Sequence, residues 1–391
     1  MRGRRLVALG IVVCAACGGE GAGGDAAPET AASWDLELLH EIGSIDEPDD
    51  ALTDVGEVRL HPDGALFIEQ PDDENIRMYA PDATFMGTIG TRGEGPEEIA
   101  RLATFGLHGD TVWVHDARGL AIHRYLRDGT FLERVRWSPE QLPGEGRIRY
   151  MLRTNRGMHL YRDGTSLVEP AALVPIEMGA GGEPRPGPDP ILPIVRVGLD
   201  GVVSDTIAWR WYESDPDYPP FAASLFQSNH LSAVQPDGSG FVMAFRHVSG
   251  NSEPGTFRVL RVSAVGDTAF DRTFGYERLD VPGDVAAEFE AEFRELQTQN
   301  PGRWSNGMWI PESVPPVSAL VPTTDGLVWV GREETREPSL WWGLDSATGD
   351  HVATVTLEAG EEIAEQHGDV LITTRTDDLD VPYVRRWRVR R

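Results

Sequence analysis

The stretch IGTRGEGPEEI, residues 89–99, places Gly90, Gly93 and Gly95 close together after an apolar run. That density of glycine lets backbone N–H groups close around a phosphate. The neighbours argue against it. A phosphate loop needs Gly-x-x-x-x-Gly-Lys-Ser/Thr with a helix behind it. Here there is no lysine, Pro96 follows the last glycine, and Glu94, Glu97 and Glu98 would repel phosphate. The stretch reads as a turn. Other chemistry is thinly represented. The chain has no Gly-x-Ser-x-Gly elbow, no His-Glu-x-x-His pair and no Asp-x-Asp-x-Asp-Gly calcium loop. Its nearest acidic clusters, ESDPDYP (213–219) and RTDDLDVP (375–382), read as solvated loops. His61, His108 and His367 each precede a turn, which suggests a turn role. His115 and His247 fall near the ends of strands, where they could look toward one mouth of a channel and hold a metal; packing in turn or core is the competing reading. The residues imply no cofactor.

Composition narrows the partners. All 35 basic residues are arginine, so lysine Schiff-base or general-base chemistry is excluded. Against 63 acids the net charge is −28, which disfavours nucleic acid and anionic lipid surfaces. Eleven tryptophans mark a folded chain.

The first residues read as a targeting segment. Arg2, Arg4 and Arg5 precede a short apolar stretch, then VCAACGG. This resembles a bacterial lipoprotein signal (residues 1–16) cut before Cys17, whose thiol would carry the lipid anchor, palmitate included. Cys14 stands where that pattern usually has Leu, which leaves ordinary secretory cleavage open. With Cys17 lipidated, no thiol remains for a disulfide, a nucleophile or a zinc site. Residues 17–33 follow as lipidated Cys and tether, small and polar, with a reach of roughly 20–25 Å. Gly18 in place of an inner-membrane retention Asp favours the outer membrane.

Residues 34–391 carry a repeat: a Gly turn followed by an alternating apolar strand. The copies are PDGALFI, HGDTVWV, NRGMHLY, PDGSGFVM, TDGLVWV and HGDVLIT. A second turn follows all but the last. WDLELLHEI (34–42) supplies the missing strand from the other end of the chain. The expectation is an all-β, six-bladed β-propeller with four-stranded blades, closed by the N-terminal strand, plus a short helical insertion. The blades resemble six-bladed propellers related to NHL repeats, particularly bacterial lipoproteins carrying IG…GxGPgEf after the first blade. Ile89, Gly90, Gly93, Gly95, Pro96 and Glu98 match, and Ile99 stands where that family often has Phe. The resemblance implies the fold and is nearly silent on activity.

Three long insertions, 163–191, 210–229 and 276–316, fall on connections that emerge on one face, over blades 3 to 5. The third contains DVAAEFEAEFRELQ (284–297), a helix that Asp284 can cap, with an apolar stripe of Val285, Phe289, Phe293 and Leu296. Trp211, Tyr212, Tyr218, Trp304 and Trp309 are the candidate anchors of a recognition surface, with Asp215 and Asp217 as polar selectors; aromatics filling a cap is the alternative. The terminal YVRRWRVRR reads as a packed strand whose Arg386, Arg388 and Arg390 face acids. The functional expectation is a monomeric, membrane-anchored envelope lipoprotein that binds an envelope protein or small ligand. The alternative is a metal-dependent lyase or lactonase-type hydrolase working in the channel, as the resemblance implies for some propellers.

Overall fold

The computed structural model describes residues 31–137, 142–143, 149–151, 159–160, 166–168, 171–173, 177–178, 184–185, 191–198, 200–211, 223–226, 230–236, 238–246, 255–299, 307–332 and 339–391. The leader, Cys17 and nearly all of the tether lie outside these residues.

Six antiparallel four-stranded sheets follow one another along the described chain. Sheet I is Val58–Leu60, Leu66–Gln70, Asn75–Tyr79 and Phe85–Ile89. Sheet II is Leu102–His108, Thr111–Asp116, Ala121–Leu126 and Phe131–Arg136. Sheet III is His159–Leu160, Ser166–Val168, Ile191–Val197 and Val203–Trp211. Sheet IV is His230–Val234, Gly240–Phe245, Gly255–Ser263 and Thr268–Tyr276. Sheet V is Val317–Pro322, Leu327–Arg332, Leu340–Asp345 and His351–Thr356, with Ala32–Ser33 added in parallel at its edge. Sheet VI is Glu362–His367, Val370–Thr376 and Pro382–Arg390, and its fourth strand is Asp35–Ile42 from the start of the described chain.

The strand patterns explain the layering. Second strands such as Leu66–Gln70 are buried at every residue, because sheets cover both their faces. The outer strand His351–Thr356 alternates buried and half-exposed residues, the period of a strand with one wet face. Each sheet shares a hydrophobic cluster with the next. Phe67 and Ile76 pack with Phe105 and Val112 between sheets I and II. Trp113 and Trp137 meet Val195 and Val197 between II and III. Ile194 and Ile207 meet Phe241 and Met243 between III and IV. Val242 and Phe257 meet Val328 and Val330 between IV and V. Trp329 and Trp341 meet Leu371 and Val389 between V and VI. Ile42, Ile372 and Val384 meet Val58 and Ile68 between VI and I. First strands of neighbouring sheets also touch, Val58–Leu60 against Glu362–His367 and Val317–Pro322 against His230–Val234. This is a β-propeller arrangement. Each fully buried aliphatic or aromatic side chain at such a junction contributes about 1.5–3 kcal/mol.

In an antiparallel meander the first-to-second and third-to-fourth turns share one face. On it, polar contacts join adjacent sheets. Arg386 of sheet VI donates to the carbonyls of Gly64 and Pro81 of sheet I, so it pairs with backbone rather than with the expected acids. Arg127 meets Asp63, Arg272 meets Asp350 at 3.1 Å, and the Gly368 N–H donates to Asp325. Arg388 and Arg390 do pair with Glu37. His61 and His367 hold turn contacts, to Asp63 at 2.7 Å and Thr324 at 3.0 Å.

Two details differ from the sequence reading. In sheet III the first hairpin joins His159–Leu160 to Ser166–Val168, so NRGMHLY holds the first strand and not the second. Asp163-Gly164 is the stronger turn pair, and the second-to-third insertion therefore starts later, after Val168. The helix runs Gly283–Gln299 and buries only Phe293; Leu296 is 40% exposed. Asp284 lies in its first turn and accepts from the Val285 N–H at 3.0 Å.

Candidate functional site

The opposite face carries the second-to-third turns and the crossings between sheets. The glycine stretch is the crossing from sheet I to sheet II. The N–H groups of Gly93, Gly95, Glu98 and Ile99 are answered from within the stretch. Glu98 folds back so that its carboxylate accepts from the Gly95 N–H at 2.8 Å. A Cβ on Gly93 would lie 1.9 Å from the same carboxylate. Gly90 has φ +80°, and a Cβ there would sit 2.3 Å from Ile99 Cδ1. Ile99 is fully buried between sheets I and II, which is why the crossing ends in an apolar residue. The Tyr125 hydroxyl donates to the Glu97 carbonyl at 2.9 Å. The stretch is a turn that holds its own anion.

Beside it stands Asp116, 1% exposed, at the end of the second strand of sheet II. Its Oδ1 accepts from the N–H groups of Arg101, Arg118 and Gly119, and its Oδ2 from that of Ala100. This carboxylate fixes both the crossing and the next turn, as charge-assisted bonds to backbone do. His123 Nε2 lies 3.7 Å from Asp116 Oδ2, with both side chains buried. Burial holds the His123 imidazole below its ordinary value, and outweighs the attraction of Asp116. Between crossing and turn lies a cleft of about 190 Å³ lined by Glu94, Gly95, Glu98, Ala100, Asp116, Arg118, Gly119 and Arg134.

Nearer the first strands, where sheets VI, I and II meet, Arg59 is surrounded by carboxylates. Arg59 Nη2 lies 3.0 Å from Glu57 Oε2, which also accepts from Thr104 Oγ1 at 2.9 Å. Glu69 accepts from the Glu57 N–H at 2.7 Å, and Glu365 from the Leu60 N–H at 2.6 Å. Burial pushes the Glu69 carboxyl up to about 7, against the Glu57 N–H bond and the Arg59 charge. Burial likewise pushes Glu365 up to about 7, against Arg59 and the Leu60 N–H. Two carboxyls that titrate near neutrality beside an arginine are suited to proton exchange. Among the described residues no group of three His, Cys, Asp or Glu is placed to hold a metal ion.

The structure brings part of the predicted surface together. Ala223–Ser224, from the second long insertion, pairs in parallel with Met308–Trp309 from the third, Ser224 opposite Trp309. Trp309 is half-buried. The third insertion is pinned at its ends, where the Val314 N–H donates to the Leu279 carbonyl at 2.8 Å. Trp211 ends the fourth strand of sheet III opposite Ile191. Tyr212, Asp215, Asp217, Tyr218 and Trp304 lie outside the described residues, as does His247. His115 is fully buried, edge-on to Trp137 at 5.2 Å between sheets II and III. Sequence reasoning missed Asp116, His123 and the group around Arg59. Glu69 did leave a signal, an acid inside the apolar run ALFIEQ.

Comparison with known proteins adds the fold. No protein-family model matches the chain, and no curated protein matches it. Among solved structures, the chain is similar to a member of the DUF4221 family from Bacteroides vulgatus, with a TM-score of 0.50 and 9% identity over 92% of this chain and 99% of that one. It is also similar to a protein inferred to be exported from Bacteroides fragilis, at a TM-score of 0.48 and 13% identity over 94% and 98%. A third is a virginiamycin B lyase from Staphylococcus aureus with quinupristin, at 0.41 and 11% over 90% and 99%.

Proposed function

We propose that this chain is a closed six-bladed propeller, exported and lipid-anchored through Cys17 at the outer membrane, that binds an envelope protein through the face bearing its long insertions. Closure is supported by the antiparallel pairing of Asp35–Ile42 with Pro382–Arg390, and by the hydrophobic cluster shared between sheets VI and I. A closed ring leaves no sheet edge open at the joint. The binding role rests on one observation: two insertions from different sheet connections pair with each other and carry Trp309 half-buried at their junction. Loops this long in a compact domain serve function more often than architecture, and aromatic residues in such positions anchor partners. Trp211, Tyr212, Tyr218 and Trp304 would complete the anchors, and Asp215 and Asp217 would select polar groups. The test is capture of partners from solubilised envelope by the lipidated chain. The Trp211→Ala and Trp309→Ala variants lose the captured protein if the reading is right. Retention of all partners by both variants refutes the site.

A second reading, a lyase or lactonase-type hydrolase working in the channel, draws on the Arg59 group. Glu69 and Glu365 would move protons there, and Arg59 would hold an anionic substrate or intermediate. Elemental analysis after dialysis separates the metal-dependent form of this reading: a stoichiometric metal favours it, and a metal-free chain with a tight protein partner favours the first.

A further inference from the structure

We infer that the cleft between the sheet I–II crossing and the Asp116 turn is a binding site for a small zwitterion, a molecule bearing one ammonium and one carboxylate, such as a short peptide. This site is separate from the insertion-bearing surface and does not depend on it.

The walls set the chemistry. Glu94 and Glu98 come from the crossing, Arg118 from the turn, and Arg134 from the outer strand of sheet II. Asp116 also lines the cleft, but its oxygens already accept four backbone N–H groups and face His123. It shapes the site and leaves Glu94, Arg118, Arg134 and the Glu98 oxygen that does not hold the Gly95 N–H to meet a ligand. A lone anion would meet Glu94 and Glu98, and a lone cation would meet Arg118 and Arg134. A zwitterion satisfies both pairs, and a guanidinium takes a carboxylate with two parallel bonds.

The site has a fixed floor and a movable rim. Gly119 admits no side chain: a Cβ there would lie 2.1 Å from Asp116 Oδ2 and 2.9 Å from Arg134 Nη2. Arg134 Nη2 donates to the Gly119 carbonyl at 3.1 Å, which orients its guanidinium at the cleft. Glu94 and Arg118 face each other at 3.5 Å, both more than two-thirds exposed. So loose a surface pair costs little to part. The cleft has a volume of about 190 Å³. That suits a ligand of amino-acid or dipeptide size.

The experiment is calorimetric titration of the full mature chain with glycylglycine, glycinamide (no carboxylate) and N-acetylglycine (no ammonium). Saturable heat from glycylglycine is expected, with both single-charge analogues at least about tenfold weaker. Arg134→Ala should weaken glycylglycine by about tenfold or more, and Glu94→Gln should weaken it while sparing N-acetylglycine. Arg118→Ala, at an exposed position, replaces Arg134→Ala if the latter fails to fold. Three results overturn the inference: no saturable heat up to about 50 mM, an analogue binding as well as the dipeptide, or wild-type affinity in every variant.

Discussion

Glu69→Gln should make the protein more stable at pH 8 and change little at pH 4 to 5. Glu69 is 5% exposed, and its carboxylate faces Glu57 and Glu74 as well as Arg59. Burial away from water is the dominant cause, and it raises the carboxyl from 4.5 to about 7. The folded state therefore keeps a proton that the unfolded chain has already lost. The Glu69 contribution to stability is most favourable below 4.5 and falls as pH rises toward 7, and its full cost is present above that. At 1.36 kcal/mol per unit, that cost is about 3 kcal/mol. Glutamine is neutral throughout, has nearly the same shape, and keeps an oxygen for the Glu57 N–H. Urea unfolding followed by tryptophan fluorescence at pH 5 and pH 8 measures the difference, with Trp113 and Trp329 as buried reporters. The variant should gain up to about 3 kcal/mol over wild type at pH 8, and most of that gain should vanish at pH 5. A variant less stable than wild type at pH 8, or a gap that does not change between the two pH values, refutes the reasoning.

Asp116→Ala removes the charged acceptor shared by four part-buried backbone N–H groups; a loss of about 2–4 kcal/mol is expected from denaturant unfolding. Gly90→Ala forces a side chain into a left-handed backbone against Ile99, and should cost more than about 1 kcal/mol and lower the melting temperature. Deleting residues up to Ile42 strips sheet VI of its fourth strand; the shortened chain should associate or aggregate in light scattering, while the full chain stays monodisperse.

Much of the fold was legible because propeller strands are short, local and separated by glycine turns. PDGALFI and TDGLVWV carry both the turn and the buried strand in a few residues, and the structure places hairpins at both. The pairing of Asp35–Ile42 with the final strand was legible for another reason: the last repeat lacked a partner. Sheet III was misread at its first hairpin, where two turn sequences compete within a few residues and spacing alone cannot choose. The helix illustrates a different limit. Its spacing gave an apolar stripe, but how much of a stripe is buried depends on what packs against it, and here Phe293 is buried while Val285 and Phe289 are half-buried.

The polar groups were least legible. The Leu60 N–H and Glu365 are 305 residues apart, and only the approach of sheet VI to sheet I brings them together. Asp116, in VHDARG, looks like any turn aspartate, and nothing local says that it also binds the preceding crossing. The glycine stretch was read correctly as a turn. What the sequence did not reveal is that Glu98 occupies the place where an outside anion would sit.

The central claim, a partner bound on the insertion-bearing face, is tested most directly by site-specific photo-crosslinking in the living source cell. A photoreactive residue replaces Trp309, and a control replaces Val265, which is 81% exposed on a third-to-fourth turn of the opposite face. A discrete protein adduct from position 309 and none from position 265 is the predicted result. Adducts from both positions alike, or from neither, would contradict it.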